Sequence, residues 1–144
     1  NTQFTPSQAY DFIANVFENG GGATSGIITV IIAKSSGWDI TVPGLTLTGV
    51  NQSGTNGTSN VFGGTSNNNG DWFFRQDAGN VYATSKAGVV ISKSGLASLG
   101  FIATRKVSTS TGTNQNLGIT IGTGSGGDNS DGNNNALLNL STSN

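Results

Sequence analysis

Short runs of β-branched and aromatic residues alternate along this chain with clusters of Gly, Asn and Ser. The first run is Ala9–Glu18 (AYDFIANVFE), in which Tyr10, Phe12, Ala14 and Val16 share one phase and Asp11, Ile13, Asn15 and Phe17 the other. It stops at Asn19-Gly20, a strong turn dipeptide followed by two more glycines. Gly26–Ala33 (GIITVIIA) is closed by Lys34–Gly37. Trp38–Val42 halts at Pro43-Gly44, and Leu45–Val50 reads as its resumption. Asp71–Gln76 and Asn80–Ser85 form a hairpin pattern across Asp77-Ala78-Gly79, and Val89–Ser92, Ala97–Val107, Gln115–Gly122 and Ala136–Thr142 follow. Asn51–Asn60, Gly63–Gly70 and Thr123–Asn135 read as polar loops, with Val61-Phe62 a short apolar peg between the first two. Alternation with period two predicts strands. Eight or nine short, mainly antiparallel strands, with turn signals about every 8–12 residues, predict an all-β, immunoglobulin-like β-sandwich rather than a βαβ fold. The expectation is a single domain over residues 1–144, with linker-like polar ends at about 1–6 and 141–144.

Two strands carry apolar residues on both faces. In Gly26–Ala33, Ile27 and Ile31 lie on one side and Ile28, Val30 and Ile32 on the other. A strand of this kind is normally covered on both sides, whereas a two-layer sandwich covers only one. The outer side is then shielded either by a loop, with Asn51–Gly70 the candidate, or by a neighbouring subunit. Ala9–Glu18 shows the same property more weakly, and either crosses between the sheets or is shared with another subunit. Phe12, Ile13, Phe17, Ile28, Val30 and Ile32 are accordingly the candidate subunit-interface residues.

Composition sharpens the picture. Gly, Asn, Ser and Thr make up just over half of the 144 residues, and charged residues only 9%, against about 25% in ordinary soluble domains. Disordered chains are typically charged and poor in β-branched and aromatic residues, so recurring apolar clusters favour a folded chain. A chain this long can bury roughly 68–70% of its unfolded surface without disulfides. Good helix formers are scarce, with Glu18 the single glutamate and no methionine. The net charge of −1, without a basic cluster, argues against nucleic acid as a partner. No apolar run approaches the ~20 residues of a membrane-spanning helix; Ile27–Ala33, interrupted by Thr29, is strand-sized. The first residue is Asn1, with no leader pattern, which reads as a processed or excised segment whose targeting signal lay upstream.

The chemistry on offer is sparse. Without His or Cys there is no Ser-His or Cys-His nucleophile pair and no thiolate metal site, so the expectation is not an enzyme, with no catalytic residues. Asp39, Asp71 and Asp77 could converge, which leaves a hydrolase using Asp39 or Asp71 as a remote reading. Gly122–Gly127 mimics a phosphate cradle but leads into no helix. Ca²⁺ is the one cofactor considered: Asp128 and Asp131, in an Asp/Asn/Gly loop, place oxygens at alternating positions but lack the terminal Glu of an EF-hand, and such loops are usually turns. Trp38, Trp72, Tyr82 and Tyr10 could form a platform for sugar rings, although Trp in a sandwich more often packs the core.

Several stretches together resemble a known family. They are Ala9–Phe12 with Val16–Glu18, Thr24–Val30, Asn69–Trp72, Ala83–Ile91, Gly100-Phe101, Gly112–Asn116, and Gly126–Asp128 with Asn133–Ala136. This pattern, which covers nearly the whole chain, resembles an immunoglobulin-like repeat of large surface and secreted proteins of Bacteroidota, of the CARDB and DUF11 type. Such modules are spacers and adhesive repeats. The resemblance implies an exported, chain-forming role and brings no catalytic residues. The leading expectation is a structural or adhesive module of a bacterial extracellular appendage or surface protein, assembled end to end as a fibre or tandem array. Its partners would be copies of itself or neighbouring immunoglobulin-like domains, with surface glycans a further candidate. The alternative is a carbohydrate-binding module using Trp38, Trp72 and Tyr82.

Overall fold

A computed structural model describes residues 2–61, 63–129 and 131–144, without the side chains of Thr2 and Asp131. The peg residue Phe62 therefore lies outside the described residues. The chain is all-β, with twelve strands among the described residues. The first six are β1 (Thr2–Phe4), β2 (Ala9–Phe17), β3 (Thr29–Ala33), β4 (Trp38–Thr41), β5 (Gln52–Ser53) and β6 (Gly57–Ser59). The others are β7 (Thr65–Asn67), β8 (Trp72–Gln76), β9 (Asn80–Ser85), β10 (Leu96–Arg105), β11 (Asn114–Ile121) and β12 (Asn135–Thr142).

Seven strands form one sheet in the order β1-β12-β11-β3-β9-β8-β5, three form a second in the order β2-β10-β4, and β6-β7 is a separate hairpin. Every pairing is antiparallel except that of β1 with β12. In immunoglobulin terms β2-β10-β4 stand as B-E-D and β12-β11-β3 as G-F-C. The segment between β4 and β10 is an insertion: its β8-β9 hairpin widens the larger sheet beyond β3.

The period-two pattern buries one face of each sheet. Val30 and Ile32 of β3, Val81 and Ala83 of β9, and Leu99, Phe101 and Ala103 of β10 fall in one hydrophobic cluster. Rings interlock across the layers: Phe74 meets Phe101 edge-on at 5.9 Å between centroids, and Phe4 meets Trp38 at 5.7 Å. Burying each such side chain stabilises the fold by about 1.5–3 kcal/mol.

Several expectations need correction. Ile28, Val30 and Ile32, offered as an outer interface, are the inward face of β3 and its approach, at most 2% exposed. Phe12 is likewise in the core. The outward Ile31 is half-buried because Tyr82 and Thr120 stand directly opposite it on the flanking strands. The segment Asn51–Gly70 does not shield β3. It contains β5, β6 and β7, and its β6-β7 hairpin covers the outer face of β10, where Ser59 and Asn67 crowd Gly100. Leu45–Val50 and Val89–Ser92 form no strands; Val50 and Val90 are exposed, and Ile91 is held instead by main-chain bonding to Thr24. The ends are not linkers: Phe4 is 1% exposed, and Ser141 and Thr142 are buried in β12.

Candidate functional site

Two places concentrate polar interactions, at opposite ends of the strands. The first is where the chain's ends meet. β1 runs parallel to β12 in the register Thr2↔Leu140, Gln3↔Ser141 and Phe4↔Thr142. Arg105, the last residue of β10, continues the inward phase of Leu99, Phe101 and Ala103 and so points into the sandwich, 3% exposed. Its Nη1 donates to the carbonyls of Phe4 and Ser143, both at 2.8 Å. Nη2 donates to Thr109 O at 2.8 Å and Nε to the same oxygen at 3.3 Å. A permanently charged guanidinium is tolerated inside a protein only when its fixed fork of N–H groups is matched by acceptors. Here the acceptors are the main chains of β1, of the residue after β12, and of the turn beyond β10. Ser143 N also donates to Phe4 O at 2.9 Å, and Thr142 N to Thr113 O at 3.0 Å.

The second place is a cleft of about 530 Å³ between the β2-β3 and β11-β12 loops. Gly126 and Gly127, both at positive φ, fuse the loops: Ser25 N donates to Gly126 O at 2.6 Å, and a Cβ on Gly127 would collide with Ser25 Oγ. The glycine-rich run is thus a packing device between loops. Val16, Ile28 and Ile121 form an apolar floor, and Phe17, 63% exposed, stands at the rim. The Glu18 carboxylate accepts from Gly20 N at 2.6 Å and Ser94 N at 3.0 Å. Asn134 also lines the cleft. It is 8% exposed, its main-chain oxygen accepts from Ile121 N at 2.8 Å, and its Nδ2 has no hydrogen-bond partner.

The residues singled out in the sequence distribute as follows. Trp38 and Trp72 are 1% and 0% exposed, so neither can stack on a sugar. Tyr82 is half-buried on the outer face of the larger sheet, but Arg75 lies over its ring at 3.9 Å and its hydroxyl donates to Asp77 Oδ2 at 2.8 Å. Tyr10 packs edge-on to Phe4 at 4.9 Å. Ile13 is half-buried opposite Gly100 on the outer face of the smaller sheet. Asp128 is half-buried in the wall of the cleft, while the side chain of Asp131 lies outside the described residues. Among the described residues no three His, Cys, Asp or Glu side chains are grouped to hold a metal ion. Asp39 makes a surface ion pair with Lys106 at 3.5 Å, and Asp77 organises the β8-β9 turn.

Arg105 and Asn134 went unremarked in the sequence. A signal for Arg105 is present: it continues, at a spacing of two, the alternating apolar positions Leu99, Phe101 and Ala103 of the same run. Asn134 had no such signal, being one of three consecutive asparagines. No protein-family model, no curated protein and no solved structure matches this chain.

Proposed function

We propose that the chain is a structural, load-bearing module of an extracellular protein or appendage, linked through its two ends to further modules in a tandem array or fibre. The carrying observation is the parallel pairing of the first and last strands, locked by Arg105. When the two ends of such a pair are pulled apart, the strands slide past one another. All three register pairs then bear the load together, rather than unzipping in turn. A charged side chain bonded to both end segments opposes the same motion. The low charge, the lack of His and Cys and the resemblance to surface-protein repeats agree with this reading. No matching family model supports that resemblance, so the reading stands on the end geometry. The carbohydrate-binding alternative built on Trp38, Trp72 and Tyr82 has lost its two tryptophans to the core.

The test is single-molecule pulling of a concatemer joined end to end, compared with one joined through cysteines introduced at the exposed positions Asn19 and Ser94, beside the β2-β10 pair. Pulling through the termini is expected to require several-fold higher force. Equal forces in the two geometries would overturn the proposal.

A further inference from the structure

The outer edge of β2 carries a separate inference. We propose that it pairs antiparallel with the same edge of a second copy, joining the two smaller sheets across a two-fold axis through Ile13. Three observations support this. First, β2 is by far the longest edge strand of the two sheets. β10 pairs with one side of it, and among the described residues no strand stands on the other. The remaining edge strands are short, β1 with three residues, β4 with four and β5 with two, whereas β2 has nine. Natural sheets guard exposed edges with short strands, Lys, Pro, bulges or a covering element. β2 (AYDFIANVF) contains no Lys, Arg or Pro, and its ladder with β10 runs without a bulge from Ala9↔Thr104 to Phe17↔Leu96. In immunoglobulin sandwiches a strand A takes the place beside B; here β1 pairs with β12 instead.

Second, the main-chain groups on that edge are in phase for such a pairing. Arg105 N donates to Gln8 O at 2.9 Å and Glu18 N to Gly95 O at 3.0 Å, which brackets the ladder. In an antiparallel pair every second residue exchanges both bonds with its partner. The even-numbered residues of β2 therefore bond to β10, and Ala9, Asp11, Ile13, Asn15 and Phe17 turn their N–H and C=O groups to the open side. An axis through Ile13 sets Ala9 opposite Phe17, Asp11 opposite Asn15 and Ile13 opposite itself. Every one of these groups then finds a partner, and the whole strand is used. Third, the side chains complement one another in that register. Asp11 Oδ2 accepts from Asn60 N at 2.7 Å, and Asn15 Oδ1 accepts from the Ser98 hydroxyl at 2.7 Å. Asp11 Oδ1 and Asn15 Nδ2, an acceptor and a donor, are left to meet across the axis. On the inner face Phe12 stands opposite Ala14, large against small. Phe17, 63% exposed, and Tyr10, 38% exposed, gain cover from Ala9 and Val16 of the second copy.

The contact is lateral, on the sheet that does not hold the termini, so the inference does not depend on the load-bearing role. Sedimentation of the full chain over a concentration series is expected to show a monomer–dimer equilibrium. It should stop at the dimer, because a two-fold contact consumes both edges. Amides of Asp11, Ile13 and Asn15 should gain protection from hydrogen exchange as the dimer forms, while those of Phe12 and Ala14, already bonded to β10, do not. Asn15→Asp, at an exposed position, sets a carboxylate against Asp11 twice across the axis and is expected to raise the Kd about tenfold. Adding Asp11→Asn restores the acid–amide pair and should return the Kd to near its native value. Asn15→Pro removes an edge N–H but no bond to β10, so it should leave the chain folded and monomeric, and it stands in if the acidic variant misfolds. A chain that stays monomeric at millimolar concentration would overturn the proposal. So would open-ended polymers, protection that maps away from β2, a Kd unchanged in these variants, or no recovery in the double variant.

Discussion

Where β4 ends, the backbone of β10 from Ser98 to Gly100 still needs partners on that side, and two consecutive asparagines supply them. Asn68 N donates to Ser98 O at 2.7 Å, and Ser98 N donates to Asn68 Oδ1 at 2.8 Å. Gly100 N donates to Asn69 Oδ1 at 2.9 Å, and Asn69 Nδ2 donates to Gly100 O at 3.0 Å. A primary carboxamide carries the same donor and acceptor as a peptide group, so Asn69, wholly buried, prolongs the sheet with a side chain. Asn69→Ala strands two buried main-chain groups at about 1–3 kcal/mol each, so a loss of about 2–6 kcal/mol is expected in chemical denaturation. A midpoint unmoved by this change would show that water replaces the amide. At Gly100 the constraint is steric. A Cβ there would stand 2.7 Å from Asn67 Nδ2 and 2.8 Å from Ser59 Oγ. Gly100→Ala is therefore expected to lower stability by about 1–3 kcal/mol through displacement of the β6-β7 hairpin, visible as faster amide exchange in that hairpin.

At the scale of elements, the β8-β9 hairpin is held by its own turn. Asp77 Oδ1 accepts from Gly79 N at 2.9 Å and Asn80 N at 2.8 Å, and Oδ2 accepts from Tyr82. The Tyr82 hydroxyl first, then those two amides and the nearby Arg75 charge, hold the Asp77 carboxyl below its ordinary value of 3.8. A carboxyl lowered on folding stabilises the native state above its unfolded pKa, and that contribution disappears as pH falls through the folded pKa. The difference in thermal midpoint between the native chain and Asp77→Ala should therefore be constant from pH 7 to about 5 and shrink below about pH 4. A difference independent of pH would refute the assignment. This hairpin was legible in the sequence because its turn chemistry is local and its apolar phase unambiguous. β1 was not: Thr-Gln-Phe reads as polar, and only pairing with residues nearly the whole chain away makes it a strand. β6 and β7 (GTS and TSN) carry no hydrophobic pattern at all. Their place is over the outer face of β10 at Gly100, a packing role that no residue within them announces. Leu45–Val50 failed in the opposite sense: it alternates correctly but meets β8 only at Gln76, whose N donates to Thr48 O at 2.7 Å and whose Nε2 donates to Leu47 O at 2.8 Å, too little for a ladder. The clamp was half legible, through the phase of Arg105, whereas the cleft needed two loops about a hundred residues apart to be brought together.

Across the whole molecule, the two ends of the chain are bound to each other more securely than their sequence suggests, and Arg105 is where that security can be tested. Its guanidinium reaches Phe4, Ser143 and Thr109 at once, so it couples β1, the exit of β12 and the turn after β10. Arg105→Leu fills the space but leaves the carbonyls of Ser143 and Thr109 without their donor, whereas Phe4 O keeps Ser143 N. Two orphaned acceptors, partly rehydrated, imply a loss of about 3 kcal/mol at equilibrium. Arg105→Lys keeps the charge but not the fork: one ammonium cannot span three segments with the same geometry, so an intermediate loss is expected. The decisive readout is local. Amide exchange of Ser143 and Thr142 should quicken in both variants, while amides of the β3-β9 ladder in the middle of the larger sheet keep their protection relative to global stability. If exchange instead quickens uniformly, Arg105 contributes only to overall stability and the ends are no more coupled than any other edge of the sandwich. If it quickens at the ends alone, the residue ties the entry and exit of the chain together, which a module carrying tension through its termini requires.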